Sequence, residues 1–167
     1  MNIRRAEISD ASEIARIHVE TWRIAYAEIV PSSYLARLDK EERAKSWANK
    51  LSDPNEEARV AVLANGSIAG WTSFGPSRDN DDKEAGEVYA IYVDQSHWGQ
   101  GTGRTLLTDA ILHLGRKGYS SVSLWVLEEN QRARRFYEKA GFELDGASKS
   151  IEIDGSELWE FRYRSAT

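Results

Sequence analysis

Residues 97–107 read HWGQGTGRTLL and follow directly on the apolar run VYAIYV at 88–93. Glycines occupy positions 99, 101 and 103, where the helical pattern that carries Leu106 and Leu107 is already starting. Glycine loses more backbone freedom on folding than any other residue, so this clustering is unfavourable unless bare backbone is needed there. A strand, a glycine-rich turn and a helix start in succession supply the need. The first amides of a helix have no internal partner, carry the positive end of the aligned peptide dipoles and can donate directly to phosphate oxygens. Gly99, Gln100, Gly101, Thr102, Gly103 and Arg104 therefore read as a phosphate cradle. From the glycines alone, a tight turn without a ligand fits equally well. A Walker A loop is excluded, because no Gly-Lys followed by Ser or Thr occurs. The dinucleotide fingerprint fails because the third glycine arrives one residue early.

The pattern around this stretch gives the architecture. Residues 2–7 suit a first strand. Asp10 and Glu13 have capping-box spacing, and Ile14, Ile17, Thr21, Ile24 and Ala25 follow on one helix face. A second helix is expected over 41–51, after Pro31 and a short turn near Ser32. ARVAVLA and SIAGWTSFG flank Asn65-Gly66, a pair suited to a type I′ hairpin turn. The polar stretch Gly75–Gly86 reads as an exposed loop. EVYAIYV (87–93) has few polar residues, as a central strand should. Leu106, Leu107, Ala110, Ile111 and Leu114 share a helix face, closed by Gly118. YSSVSLWVL is the next strand, and Asn130 caps a helix ended by Gly141. Two last strands flank Asp154-Gly155. The order β-α-α-β-β-β-α-β-α-β-β is an α/β (mixed α+β) domain, with a mixed sheet packed against helices.

The segment NQRARRFYEKAGF (130–142) lies one strand beyond the glycine helix. IYV…GQGTGR followed by N..A..FYEKAGF resembles the GNAT superfamily of acetyl-CoA-dependent N-acetyltransferases. The resemblance is strongest over 87–144, and the strand order extends it along the chain. IHVETWRIAYAEIVP near the start is similar to the acceptor-side helices of many bacterial members. It implies one N-acetyltransferase domain over 1–167, with a mostly antiparallel sheet of about seven strands and about four helices. The family pattern often has Arg or Gln before the glycines, where this chain has Trp98. No cationic or amide contact is expected from that side chain, but the backbone cradle does not depend on it.

The resemblance also implies residue roles. The backbone of Ile91, Tyr92 and Val93 would pair with the pantetheine arm of acetyl-CoA, and the amide near Ile91 would polarise the thioester carbonyl. Gly99 to Arg104 would hold the pyrophosphate. Asn130 would bond the arm, and Tyr137 would stand near the sulfur. One of Arg132, Arg134 and Arg135 could meet a phosphate, since arginine suits phosphate geometry. An unperturbed tyrosine stays protonated at neutral pH and can donate to a leaving thiolate. Glu87 at a strand start is the candidate base, acting through water, with Glu28 as a second candidate. Trp22, Tyr26, Tyr89 and Trp125 could line the acceptor pocket, although aromatics are more often core.

Composition narrows the function further. Lys plus Arg total 22 against 27 Asp plus Glu, a net charge of -5 that argues against a nucleic-acid partner. There is no cysteine, which excludes disulfides, thiolate metal sites and a covalent acetyl-thioester intermediate. His18, His97 and His113 show no metal-ligand spacing, so no metal is expected. No apolar run approaches the roughly 20 residues that span a bilayer, and MNIRRAEISD lacks the apolar segment of a secretory signal. A cytoplasmic protein without a membrane partner is expected. The implied activity is acetyl transfer from acetyl-CoA to a primary amine, small-molecule or peptide, by direct attack in a ternary complex. A non-catalytic acyl-CoA-binding or regulatory module is the alternative. The family likeness also implies a homodimer formed through edge strands or the last hairpin.

Overall fold

The computed structural model describes residues 1–167. Its elements are β1 (Asn2–Arg5), α1 (Ala11–Ala25), α2 (Ser32–Arg37), α3 (Lys40–Leu51), β2 (Ala58–Val62), β3 (Ile68–Pro76) and β4 (Gly86–Val93), then α4 (Thr102–Arg116), β5 (Ser121–Leu127), α5 (Gln131–Lys139), β6 (Glu143–Ile153) and β7 (Ser156–Ala166). All seven strands form one sheet in the order β1-β2-β3-β4-β5-β7-β6. Every neighbouring pair is antiparallel except β4 and β5, which α4 connects as a parallel crossover.

That parallel pair is short. Only Gly86 with Val122 and Glu87 with Ser123 are in register, after which the strands part. The register of β3 against β4 explains the parting. Phe74 faces Val88 and Ser73 faces Ala90, so Tyr89 is an extra, unpaired residue. Such a bulge bends its strand and increases the local twist, and here it turns the second half of β4 away from β5.

Helices cover both faces of the sheet because strand side chains alternate. Trp71 and Phe74, three residues apart on β3, enter different cores. Trp71 packs with Ile14 and Ile17 of α1 and Trp47 of α3. Phe74 packs with Leu107, Ala110 and Leu114 of α4 and with Tyr163 of β7. A third cluster joins Val19 of α1 and Leu35 of α2 to Leu127 and Leu158.

Several local expectations change. The turn near Ser32 is the helix α2, a fifth helix. Asp10 forms its capping box with Glu7 rather than Glu13, because its carboxylate turns back to the Glu7 amide and to Arg4. Ile24 is 42% exposed, outside the buried face of α1. Asn65-Gly66 does not make a type I′ turn, since only Gly66 has positive φ; Asp154 and Gly155 both do, as that turn requires. The stretch Gly75–Gly86 is polar but not free. Arg162 holds Asp79 and Asp81, at 3.1 and 3.0 Å, and Arg164 holds Asp82 at 2.8 Å.

Trp71 is fully buried between the α1 and α3 side chains and the ring of Tyr92, 5.2 Å away. Trp71→Ala should lower unfolding free energy by about 3–5 kcal/mol, read from denaturant melts; a loss below about 1 kcal/mol would show that this core collapses around the gap.

Candidate functional site

The glycine turn carries a long run of free donors. No amide from Gly99 to Arg104 donates to an acceptor within the chain, and the first helical bond is Thr105 N–H to the Gly101 carbonyl at 3.0 Å. The side chains around the turn hold its shape while leaving those amides open. The Trp98 indole N–H donates to the Val93 carbonyl at 2.7 Å, and the Gln100 amide to the Ser96 carbonyl at 2.9 Å. The Asp94 carboxylate accepts from Ser96 N–H at 3.0 Å. A row of aligned, unpartnered N–H groups at a helix start is a preorganised anion site.

The glycines are of two kinds. Gly99 and Gly101 have φ of 76° and 85°, where a side chain is strained. Gly103 has an ordinary φ and lies inside the first turn of α4, and a β-carbon there would sit 3.5 Å from the Phe136 ring. Trp98 brings no charge of its own, yet its ring carries one: the Arg132 guanidinium stacks over it at 3.5 Å. A cation therefore returns to the cradle from α5. Arg104 and Lys139 line the same space.

Where β4 and β5 part, a cavity of about 550 Å³ opens, continuous with the cradle. It collects every candidate site residue read from the sequence except Gln100, Glu28 and Glu87, and of the three arginines 132, 134 and 135 only Arg132. Ile91, Tyr92 and Val93 form its β4 wall. The Val93 carbonyl is already taken by Trp98, so of these three it is the least free to pair with a ligand. Trp22 donates through its indole N–H to the Tyr92 hydroxyl at 2.9 Å, and Tyr26 lies beside Tyr92 and Asn130. The Asn130 side-chain oxygen caps α5 by accepting from Ala133 N–H at 3.1 Å. Tyr137 packs edge-on against Phe136 and Phe142, with ring centroids 5.0 and 6.0 Å away. Burial holds its phenol well above the ordinary tyrosine range, so it remains a donor. Its hydroxyl has no hydrogen-bond partner in the chain.

Glu87 does not reach this space. It is fully buried, and its carboxylate accepts from the Arg78 backbone N–H at 2.8 Å and from the Arg78 guanidinium. A carboxylate closed by charge-assisted bonds anchors the β3–β4 connection and is not poised to take a proton through water. Glu28 is exposed in the turn after α1 and lies outside the cavity.

Sequence reading passed over Glu160, the carboxylate that does line the cavity. It also passed over the Arg162 and Arg164 clamp, which reaches Asp145 as well as the β3–β4 connection. The signal was present in the alternation of β7. Leu158, Glu160 and Arg162 share one face, and an inward charge in such a row needs a partner or a task.

The sequence model of the acetyltransferase (GNAT) family matches residues 14–142. An N-acetyltransferase of Bacillus subtilis (strain 168), YuaI, is 37% identical over 130 residues, covering 78% of this chain and 73% of its own length. Among solved structures, the PaiA N-acetyltransferase of Thermoplasma acidophilum in complex with coenzyme A has a TM-score of 0.76 at 22% identity, over 99% of this chain and 98% of its own. A ribosomal-protein-alanine N-acetyltransferase of Brucella melitensis has a TM-score of 0.76 at 21% identity, over 100% of both chains.

The two kinds of glycine predict opposite stability effects. Gly101→Ala should destabilise the fold by about 1–2 kcal/mol. Gly103→Ala should be neutral or stabilise it by up to about 1 kcal/mol. Thermal and denaturant melts of the two variants check this, and equal effects would contradict the assigned backbone geometry.

Proposed function

The chain belongs to the GNAT acetyltransferase family, and on that premise we propose that it moves the acetyl group of acetyl-CoA to a primary amine by direct attack, with residues 1–167 acting as one catalytic domain. The observation that carries this reading is the run of unpartnered amides from Gly99 to Arg104 at the mouth of the split between β4 and β5. The donors suit a diphosphate, and Arg104, Arg132 and Lys139 add matching charge. The parted strands leave backbone edges for an extended arm, and the Thermoplasma relative was crystallised with coenzyme A.

Bound acetyl-CoA supplies a thioester whose carbonyl carbon is open to an amine and whose thiolate can leave. The chain's residues then divide the work. The cradle amides and Arg132 fix the phosphates. Free β4 backbone around Ile91 and Tyr92 orients the arm and offers an N–H to the carbonyl oxygen; one well-placed donor of that kind can contribute about 2.7–4 kcal/mol. Tyr137, kept protonated by burial, donates its hydroxyl proton to the departing sulfur. Asn130, whose oxygen caps α5, has its amide N–H groups left for the arm. Trp22, Tyr26, Tyr89 and Trp125 wall the acceptor side, and holding both reactants there supplies a proximity gain. The acceptor is a small-molecule or peptide amine. The same reading includes a homodimer built on the edge strand β6 and the exposed Trp159 of β7.

Tyr137→Phe should lower kcat by roughly 100-fold or more while leaving coenzyme A affinity within about twofold. Thiol release with a panel of amines and calorimetry measure the two quantities. An unchanged kcat would remove Tyr137 from the chemistry. Coenzyme A binding without acetylation of any amine would favour a non-catalytic acyl-CoA-binding module.

A further inference from the structure

The charged lining of the cavity is divided between the two faces of the sheet. Arg104, Arg132 and Lys139 belong to α4 and α5, and His97 to the turn before α4. Glu160 is the only carboxylate that lines the cavity. It lies on the other face. Phe161 and Tyr163 of β7 enter the core under α4 and α5, whereas Leu158, two residues from Glu160, enters the core under α1 and α2. Glu160 therefore stands across the sheet from the phosphate end, on the side of Trp22 and Tyr26. Its cavity neighbours include Trp125, Ile151 and Ile153.

Its pairing is incomplete. No donor in the chain forms a hydrogen bond with its carboxylate, and the nearest cation, Lys149 Nζ, is 3.9 Å away. That distance is long for a charge-assisted bond, and the Lys149 ammonium sits over the Trp125 ring, also at 3.9 Å. The other acids of this region are matched by arginine: Glu87 by Arg78, Asp79 and Asp81 by Arg162, and Asp82 and Asp145 by Arg164. A half-buried carboxylate without a donor is unfavourable unless something else compensates it. A primary amine, cationic at neutral pH, supplies that compensation and must also lose a proton before it can attack.

We propose that Glu160 receives the acceptor's ammonium and takes its proton, so that the acceptor is a cationic primary amine with an aromatic or branched apolar body. The assignment rests on the acetyl-transfer reading above. The amine nitrogen forms its bond to the thioester carbon, and the carbon–sulfur bond breaks with its electron pair on sulfur. Tyr137 protonates the sulfur. Of the two protons the ammonium gives up, one passes to Glu160 and on to water, and the other restores Tyr137. Burial raises the Glu160 carboxyl above its ordinary range; Lys149 and Arg78 oppose the rise, and Glu87 and Asp79 add to it. A base so placed titrates closer to neutrality than a solvated glutamate.

The test uses the full chain with acetyl-CoA, measuring thiol release with phenethylamine, L-phenylalanine and L-glutamate. Phenethylamine, the cation, should exceed the zwitterion and the acid by about tenfold or more in kcat/KM. Glu160→Gln should cut its kcat by roughly 100-fold, remove the acid limb of the kcat–pH profile and leave acetyl-CoA affinity within about twofold. Glu160→Asp should recover part of the rate. Thermal melts and acetyl-CoA affinity establish that each variant is folded. Preference for L-phenylalanine or L-glutamate overturns the proposal, as does a Glu160→Gln variant with wild-type kcat and acid limb. Acetyl-CoA binding with none of the three amines acetylated also overturns it while leaving the cofactor site standing. No acetyl-CoA binding to the unmodified chain defeats the acetyl-transfer reading itself, and this assignment with it.

Discussion

β4 and β5 hold each other only through Gly86 with Val122 and Glu87 with Ser123. A parallel pair in the middle of a sheet normally runs on, because each abandoned register position leaves backbone donors and acceptors without partners. Here the Tyr89 bulge bends β4 away, and the unpaired backbone lines a cavity instead of a core. The cradle lies at the end of the same strand. Its amides are unpartnered for the same reason: the chain keeps its hydrogen-bonding capacity for something outside itself. Stability is supplied on the two faces of the sheet, by Trp71 with α1 and α3 and by Phe74 with α4.

Charge follows this geometry. The cradle end gathers Arg104, Arg132 and Lys139, and Trp98 provides a surface for a guanidinium where no cation precedes the glycines. At the far end, arginines fix the β3–β4 connection. Arg78 closes on Glu87, while Arg162 and Arg164 hold Asp79, Asp81, Asp82 and Asp145. Trp125, which lines the cavity, donates its indole N–H to Asp79 at 2.8 Å and so ties that connection to the cavity wall. Glu160, the one acid that lines the cavity, is left without such a partner.

The glycine motif, the segment from Asn130 to Phe142 and the strand periodicity made the fold legible, because each is a local signal with a fixed spacing. Gly101 illustrates this: it stands at the start of α4 with φ of 85°, a conformation that glycine adopts without strain. The errors fell where long-range partners decide. Glu87 reads as a strand-start base until Arg78, nine residues earlier, closes on it. Asp10 offers a cap to Glu13 but is taken by Arg4. Glu160 sits in a strand of alternating polar residues, and only the pairing of β7 beside β5 turns its side toward the cavity. Trp98 looked like a lost contact because stacking by Arg132 has no sequence spacing to reveal it.

The account depends most on the amides of the glycine turn being the ligand's donors. Titrating coenzyme A into isotope-labelled protein and following each backbone amide by NMR tests this directly. The resonances from Gly99 to Arg104 should shift together and saturate with binding, while those of α3, on the opposite face, stay in place. Saturable binding that leaves the turn's amides unmoved would contradict the account.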